Sequence, residues 1–77
     1  MILLTQIEKT DDFIKCVAYI EDSETPVPLT YSIQADEFFP FKYPPGYEWC
    51  TAHIAHAKRF IKKNKDKLPR EENIMWY

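Results

Sequence analysis

The apolar residues of this chain keep one period up to about residue 34 and another after residue 46. That change constrains the fold more than any other feature. Val27, Leu29, Tyr31 and Ile33 alternate with Pro28, Thr30, Ser32 and Gln34. Alternation sends successive side chains to opposite faces of a strand, so 27–34 is predicted as a half-buried strand. Pro28 has no N–H to give to a ladder, which suits an edge or one-sided pairing at that point. Residues 13–21 form a second strand, with Ile14, Cys16, Ala18 and Ile20 on its inner face. Its other face is unusually apolar, carrying Phe13, Val17 and Tyr19. Residues 2–9 read as a further strand. The connections, Thr10-Asp11-Asp12 and Asp22-Ser23-Glu24-Thr25-Pro26, are short and rich in turn formers. Short connections imply hairpins, so 1–34 is predicted as a three-stranded antiparallel meander.

Residues 35–46 are read as an aromatic loop, carrying Phe38, Phe39, Phe41 and Tyr43 among Pro40, Pro44 and Pro45, which deny the segment a regular helix. A helix is expected to start near Pro45, because proline suits a first helical turn, and is assigned to 47–67. At about 100° per residue, Cys50, Ile54, Ala57, Ile61 and Leu68 fall in one stripe, which should lie on the sheet. Pro69 ends the continuation, and 68–77 is an apolar-ended tail. The prediction is a single α+β domain over 1–77, β-β-β-α, with one long C-terminal helix packed on one sheet face. The opposite face would then show Phe13, Val17 and Tyr19 to water unless loop, tail or partner covers them.

Several functions are poorly served by this composition. With one glycine, the chain can hold no glycine-rich phosphate loop. Cys50, His53 and His56 stand at i, i+3 and i+6, and on a helix they fan over about 120° and climb about 9 Å, too far to share one zinc. No metal or other cofactor is expected. His53 or His56 could act as a base, but no nucleophile is placed beside either, so no enzyme is expected. Trp49, His53, His56 and Phe60 make a second helical stripe, read as a flank of the core rather than a small-molecule pocket. The string Pro44-Pro45-Gly46-Tyr47 is similar to Pro-Pro-x-Tyr ligands of WW domains, but it abuts a helix start instead of lying free and extended.

Charge is unevenly laid out. Residues 1–57 hold three lysines against nine acids, net −6, whereas 58–70 hold seven basic residues against Asp66, net +6. Lys58, Arg59, Lys62 and Lys65 share one helix side and are the candidate phosphate-binding residues. A plainer cause also serves, because cations suit a helix C-terminus and solvate an exposed face. The acids Asp11, Asp12, Glu21, Asp22 and Glu24 occupy the two turns, where they could meet a basic partner or simply be solvated.

Cys16 and Cys50 both fall on apolar stretches and are expected to be free, buried thiols in a reducing, cytoplasmic setting. The start Met1-Ile2-Leu3-Leu4, apolar for only four residues and without a basic leader, is not expected to be a signal peptide, and no run reaches a membrane span. The expected function is a small non-enzymatic protein-interaction module, a binder or inhibitor of another macromolecule, or a homodimer, with Phe13, Val17 and Tyr19 as the candidate interface. The alternative is a nucleic-acid-binding module using the basic helix face. A small-molecule ligand is not expected.

Overall fold

The computed structural model describes residues 1–75. The elements follow in the order β1 (Ile2–Lys9), β2 (Phe13–Ile20), β3 (Val27–Ser32), β4 (Glu37–Phe38), α1 (Thr51–Lys63) and β5 (Glu72–Ile74). All five strands belong to one antiparallel sheet, in spatial order β4-β3-β2-β1-β5. The domain is therefore α+β, an antiparallel sheet with one helix. β1, β2 and β3 are consecutive neighbours, as their alternation predicts. The two outermost strands were not foreseen. β4 lies inside the segment read as an aromatic loop, and β5 inside the segment read as a tail. Trp76 and Tyr77, counted with that tail, lie outside the described residues.

β1 departs from simple alternation. Ile2 and Leu4 face the core, and a regular strand would put Gln6 there next. Instead Thr5 pairs with Val17 and Glu8 with Lys15, so Gln6 and Ile7 together oppose Cys16. This is a β-bulge, and Gln6 takes φ 51 to make it. The extra residue turns Ile7 inward, where it is buried. The Ile7 N–H then donates to the Arg70 carbonyl at 3.0 Å, which brings the chain before β5 alongside β1.

One face of the sheet packs on α1. Ile2, Leu4, Ile14, Ala18, Leu29 and Tyr31 share a single core with Cys50, Ile54, Ala57 and Ile61 of the helix segment. Four members of the predicted stripe are thus buried, and Leu68 packs against the core partly buried. Phe38, Phe41, Tyr43, Tyr47 and Phe60 do the same, so most aromatics of the 35–46 segment fold back onto the core. Aromatic area is the efficient way to close so small a core.

The helix is shorter than 47–67. At its start, the Tyr47 N–H donates to the Pro44 carbonyl and the Cys50 N–H to the Tyr47 carbonyl, at 2.9 and 3.0 Å. Gly46 takes φ 85. Pro45 therefore belongs to a turn and not to the first helical turn. At the other end, the backbone N–H and side-chain amide of Asn64 both donate to the Phe60 carbonyl, at 3.0 and 2.9 Å. These bonds close the last turn and stop the helix before 67. Among the described residues, no helix is long and apolar enough to cross a membrane.

Candidate interaction surface

The sheet face opposite α1 is built from cross-strand rows. Residues paired across antiparallel strands point to the same side. Asn73, Leu3 and Tyr19 make one row, and Thr5, Val17 and Pro28 make the next. The sequence-predicted interface residues Phe13, Val17 and Tyr19 all lie on this face and are half-buried by their neighbours. Phe13 is partly covered. Phe39 meets it edge-on with ring centroids 5.7 Å apart, and the Lys15 ammonium lies 5.9 Å from its ring centre. Leu3, Val17 and Tyr19 form the apolar remainder.

At one end of this face the β2–β3 turn raises an acidic wall. Leu3 and Tyr19 floor a shallow cleft bordered by Glu21, Asp22 and Glu24. Glu21 takes the left-handed conformation, φ 51, which is uncommon for a residue with a long side chain. Its Oε1 accepts from the Met1 ammonium at 2.8 Å and lies 2.6 Å from His53 Nε2. These two partners hold the Glu21 carboxyl below its ordinary value, the ammonium being the larger cause. Asp22 Oδ1 accepts the Tyr47 hydroxyl at 2.7 Å. That bond, with burial and the charges of Asp22 and Glu21, pushes the Tyr47 phenol up. Burial and then Glu21 likewise raise the Cys50 thiol.

Two aromatic rings extend the acidic end toward the helix. Tyr47 and Trp49 lie 6.5 Å apart and nearly parallel. The Trp49 indole N–H donates to the Gly46 carbonyl at 2.9 Å, and its ring meets His53 edge-on at 5.7 Å. Trp49 nevertheless remains 67% exposed. The sequence pattern assigned Trp49 to the flank of the core. Its distance in sequence from the β2–β3 turn hid the link through Tyr47 and Asp22. Leu3 was missed because β1 was paired with β2 in the predicted meander without a register that sets Leu3 opposite Tyr19.

The basic residues divide into two groups. The Lys58 ammonium sits 5.3 Å from the Phe38 ring centre and 5.5 Å from that of Phe41. Lys62 Nζ lies 3.6 Å from Asp36 Oδ1, the atom that also accepts the Tyr31 hydroxyl. Both lysines thereby brace the 35–46 segment against α1. Arg59 and Lys63 are exposed, and Lys65 is half-buried. Lys58, Arg59, Lys62 and Lys63 border a shallow depression around Ala55.

Other candidate chemistry sits in structural settings. Cys16 and Cys50 are buried free thiols, and burial pushes Cys16 up to about 11. Among the described residues, no three His, Cys, Asp or Glu side chains are grouped to hold a metal ion. The Pro44-Pro45-Gly46-Tyr47 string is folded, with Pro44 buried and Tyr47 tied to Asp22. Compared with known protein families, curated proteins and solved structures, the chain matches none.

Proposed function

We propose that this chain is a small non-enzymatic protein-interaction module that binds another macromolecule through its open sheet face, and that it works in the cytoplasm. The observation that carries the reading is the apolar part of the two cross-strand rows opposite α1. Leu3, Val17 and Tyr19 stand side by side on a face that the helix does not cover. Apolar surface left in water forgoes about 25 cal/mol per Å², so a second layer over these rows is favourable. Buried free Cys16 and Cys50 support the cytoplasmic setting.

A second reading, nucleic-acid binding, is favoured by one observation, the four cations around Ala55. It is opposed by the engagement of Lys58 with Phe38 and Phe41, by the Lys62–Asp36 pair and by a net charge of −2.

The test compares surface variants in affinity capture followed by quantitative mass spectrometry, with circular dichroism as the folding check. Val17→Lys and Tyr19→Lys should keep the fold and lose the captured partner. Arg59→Glu with Lys63→Glu should leave capture unchanged. If the face variants bind as wild type and the helix variant alone loses binding, and if that binding is to nucleic acid in a gel-shift assay, the first reading falls and the second takes its place.

A further inference from the structure

Resting on the reading that the open sheet face is a protein-docking surface, we propose that its partner is a cationic amphipathic peptide segment of another protein. An apolar side chain of that segment seats on Leu3 and Tyr19. Lysine or arginine beside it meets Asp22, Glu24 and the exposed ring of Trp49.

The cleft selects for both properties. Its floor is apolar, and its wall is the carboxylate-bearing β2–β3 turn. Among the described residues no lysine or arginine lines it, and the one cation that does, the Met1 ammonium, is paired with Glu21. Glu21 is committed inward, to the Met1 ammonium and His53. Asp22 and Glu24 are exposed. Asp22 uses one carboxylate oxygen for Tyr47, and a carboxylate has two. An incoming cation can therefore bond Asp22 without displacing Tyr47.

Trp49 adds an aromatic surface linked to that charge through Tyr47, which stacks on Trp49 and bonds Asp22. Its ring is fixed at one edge by the Gly46 carbonyl and backed by Tyr47, yet most of it is open to solvent. A fixed, exposed indole attracts a guanidinium or ammonium through its π face, and arginine can also stack there. The same acids repel a polyanion, so this end of the molecule does not suit nucleic acid.

A second copy of this chain is the poorer occupant. Its cations lie mainly on α1 and just after it; the exposed positions of α1 are Thr51, Ala52, Ala55, Arg59, Lys62 and Lys63, and those just after it Asp66, Lys67, Pro69 and Arg70. Among the described residues, the large apolar side chains left exposed are Phe39, Trp49 and Met75, none on α1. Among the described residues, the basic side of a second copy thus brings no large exposed apolar anchor for the Leu3–Tyr19 floor.

The experiment is an NMR titration of the full, isotope-labelled chain with short synthetic peptides. The probes are an alternating Leu-Lys peptide, a Leu-Glu peptide of the same pattern and a Gly-Lys peptide. The Leu-Lys peptide should shift the Leu3, Tyr19 and Glu24 amides and the Trp49 indole. Its affinity should fall with salt, and fall about tenfold or more in Glu24→Lys, a substitution at an exposed turn position that should leave the spectrum otherwise intact. If the Leu-Glu peptide binds the same amides as tightly, the cationic assignment is overturned while the docking face stands. Equal shifts with Gly-Lys would reduce the effect to unspecific charge attraction and overturn it too. No shifts with Leu-Lys, or shifts only elsewhere, overturn it, and the docking face is then decided by the capture experiment. A dimer that closes over the same amides without peptide overturns it in favour of a second copy.

Discussion

His53 Nε2 lies 2.6 Å from Glu21 Oε1, joining the buried face of α1 to the first residue after β2. The same oxygen receives the Met1 ammonium at 2.8 Å. One carboxylate thus ties together three parts of the chain: the start of β1, the β2–β3 turn and the first turns of the helix. The helix has no acidic residue in its first turn and no side-chain cap on its N-terminal N–H groups. Glu21, from the β2–β3 turn, brings a carboxylate to His53 near the start of the helix.

That carboxylate makes stability depend on acid. Its partners hold Glu21 below the ordinary 4.5. A carboxyl depressed in the folded state stabilises the fold above its unfolded value and loses that contribution as pH falls through the folded one. Asp36, held down by Tyr31 and then Lys62, acts in the same sense, so the comparison must be with a variant. Glu21→Gln should lower the melting temperature at neutral pH. The gap from wild type should be present at about pH 5 and narrow below it, as the Glu21 carboxylate takes up its proton. Melting curves across that range check it. A gap unchanged at about pH 3 would mean that the carboxylate charge contributes nothing.

Ile54 is 2% exposed at the centre of the helix stripe. Ile54→Asp should abolish the cooperative melt. An unpaired buried charge costs several kcal/mol, a large part of the roughly 5–15 kcal/mol that holds a domain together. Ile54→Val, which removes one methyl group, should cost about 1 kcal/mol and melt cooperatively. Circular dichroism separates the two. An Ile54→Asp protein that melts within a few degrees of wild type would place the buried face elsewhere.

Much of the fold was legible because two periods are written in the apolar residues. The three long strands and the stripe through Cys50, Ile54, Ala57 and Ile61 follow from them. β4 and β5, two and three residues long, are too short to carry a period. The bulge left a trace, because Ile2 and Leu4 are followed by Ile7 and not by an apolar residue at 6. Reading it required knowing that β2 offers one residue, Cys16, against two. The candidate surface was half legible. Phe13, Val17 and Tyr19 were visible as surplus apolar residues, and Glu21, Asp22 and Glu24 as an acidic turn. That Leu3 completes the floor and Trp49 adjoins the wall depends on contacts between residues far apart in sequence.

Gly46 takes φ 85, and a Cβ built on it would meet nothing within 4 Å. Space is therefore not the reason for glycine here; the backbone conformation is. Gly46→Ala should destabilise the domain by about 1 kcal/mol, since an L side chain in the left-handed region costs roughly 1–2 kcal/mol. Loss should be read as a lower melting temperature with an unchanged native circular dichroism spectrum. A variant as stable as wild type would show that the turn between Pro44 and Tyr47 relaxes without penalty.

From the sequence, Lys58 and Lys62 share one helix side with Arg59 and Lys65 and read as solvated cations. Their contacts predict otherwise. Lys58 lies over two aromatic rings, an arrangement worth about 0.5–1 kcal/mol at an exposed site. Lys62 pairs with Asp36, and an exposed pair contributes about 0–1 kcal/mol. Lys58→Glu with Lys62→Glu also sets a carboxylate beside Asp36. The double variant should therefore melt several degrees lower, at roughly 4–8 °C per kcal/mol for a domain this size. Arg59→Glu with Lys63→Glu reverses the same charge at exposed positions, and should melt within about 2 °C of wild type. Thermal melting of the two double variants side by side is the measurement. If both melt alike, Lys58 and Lys62 do not brace the 35–46 segment. If they differ as expected, any loss of polyanion binding must be judged on the Arg59 and Lys63 variant, where folding is not disturbed.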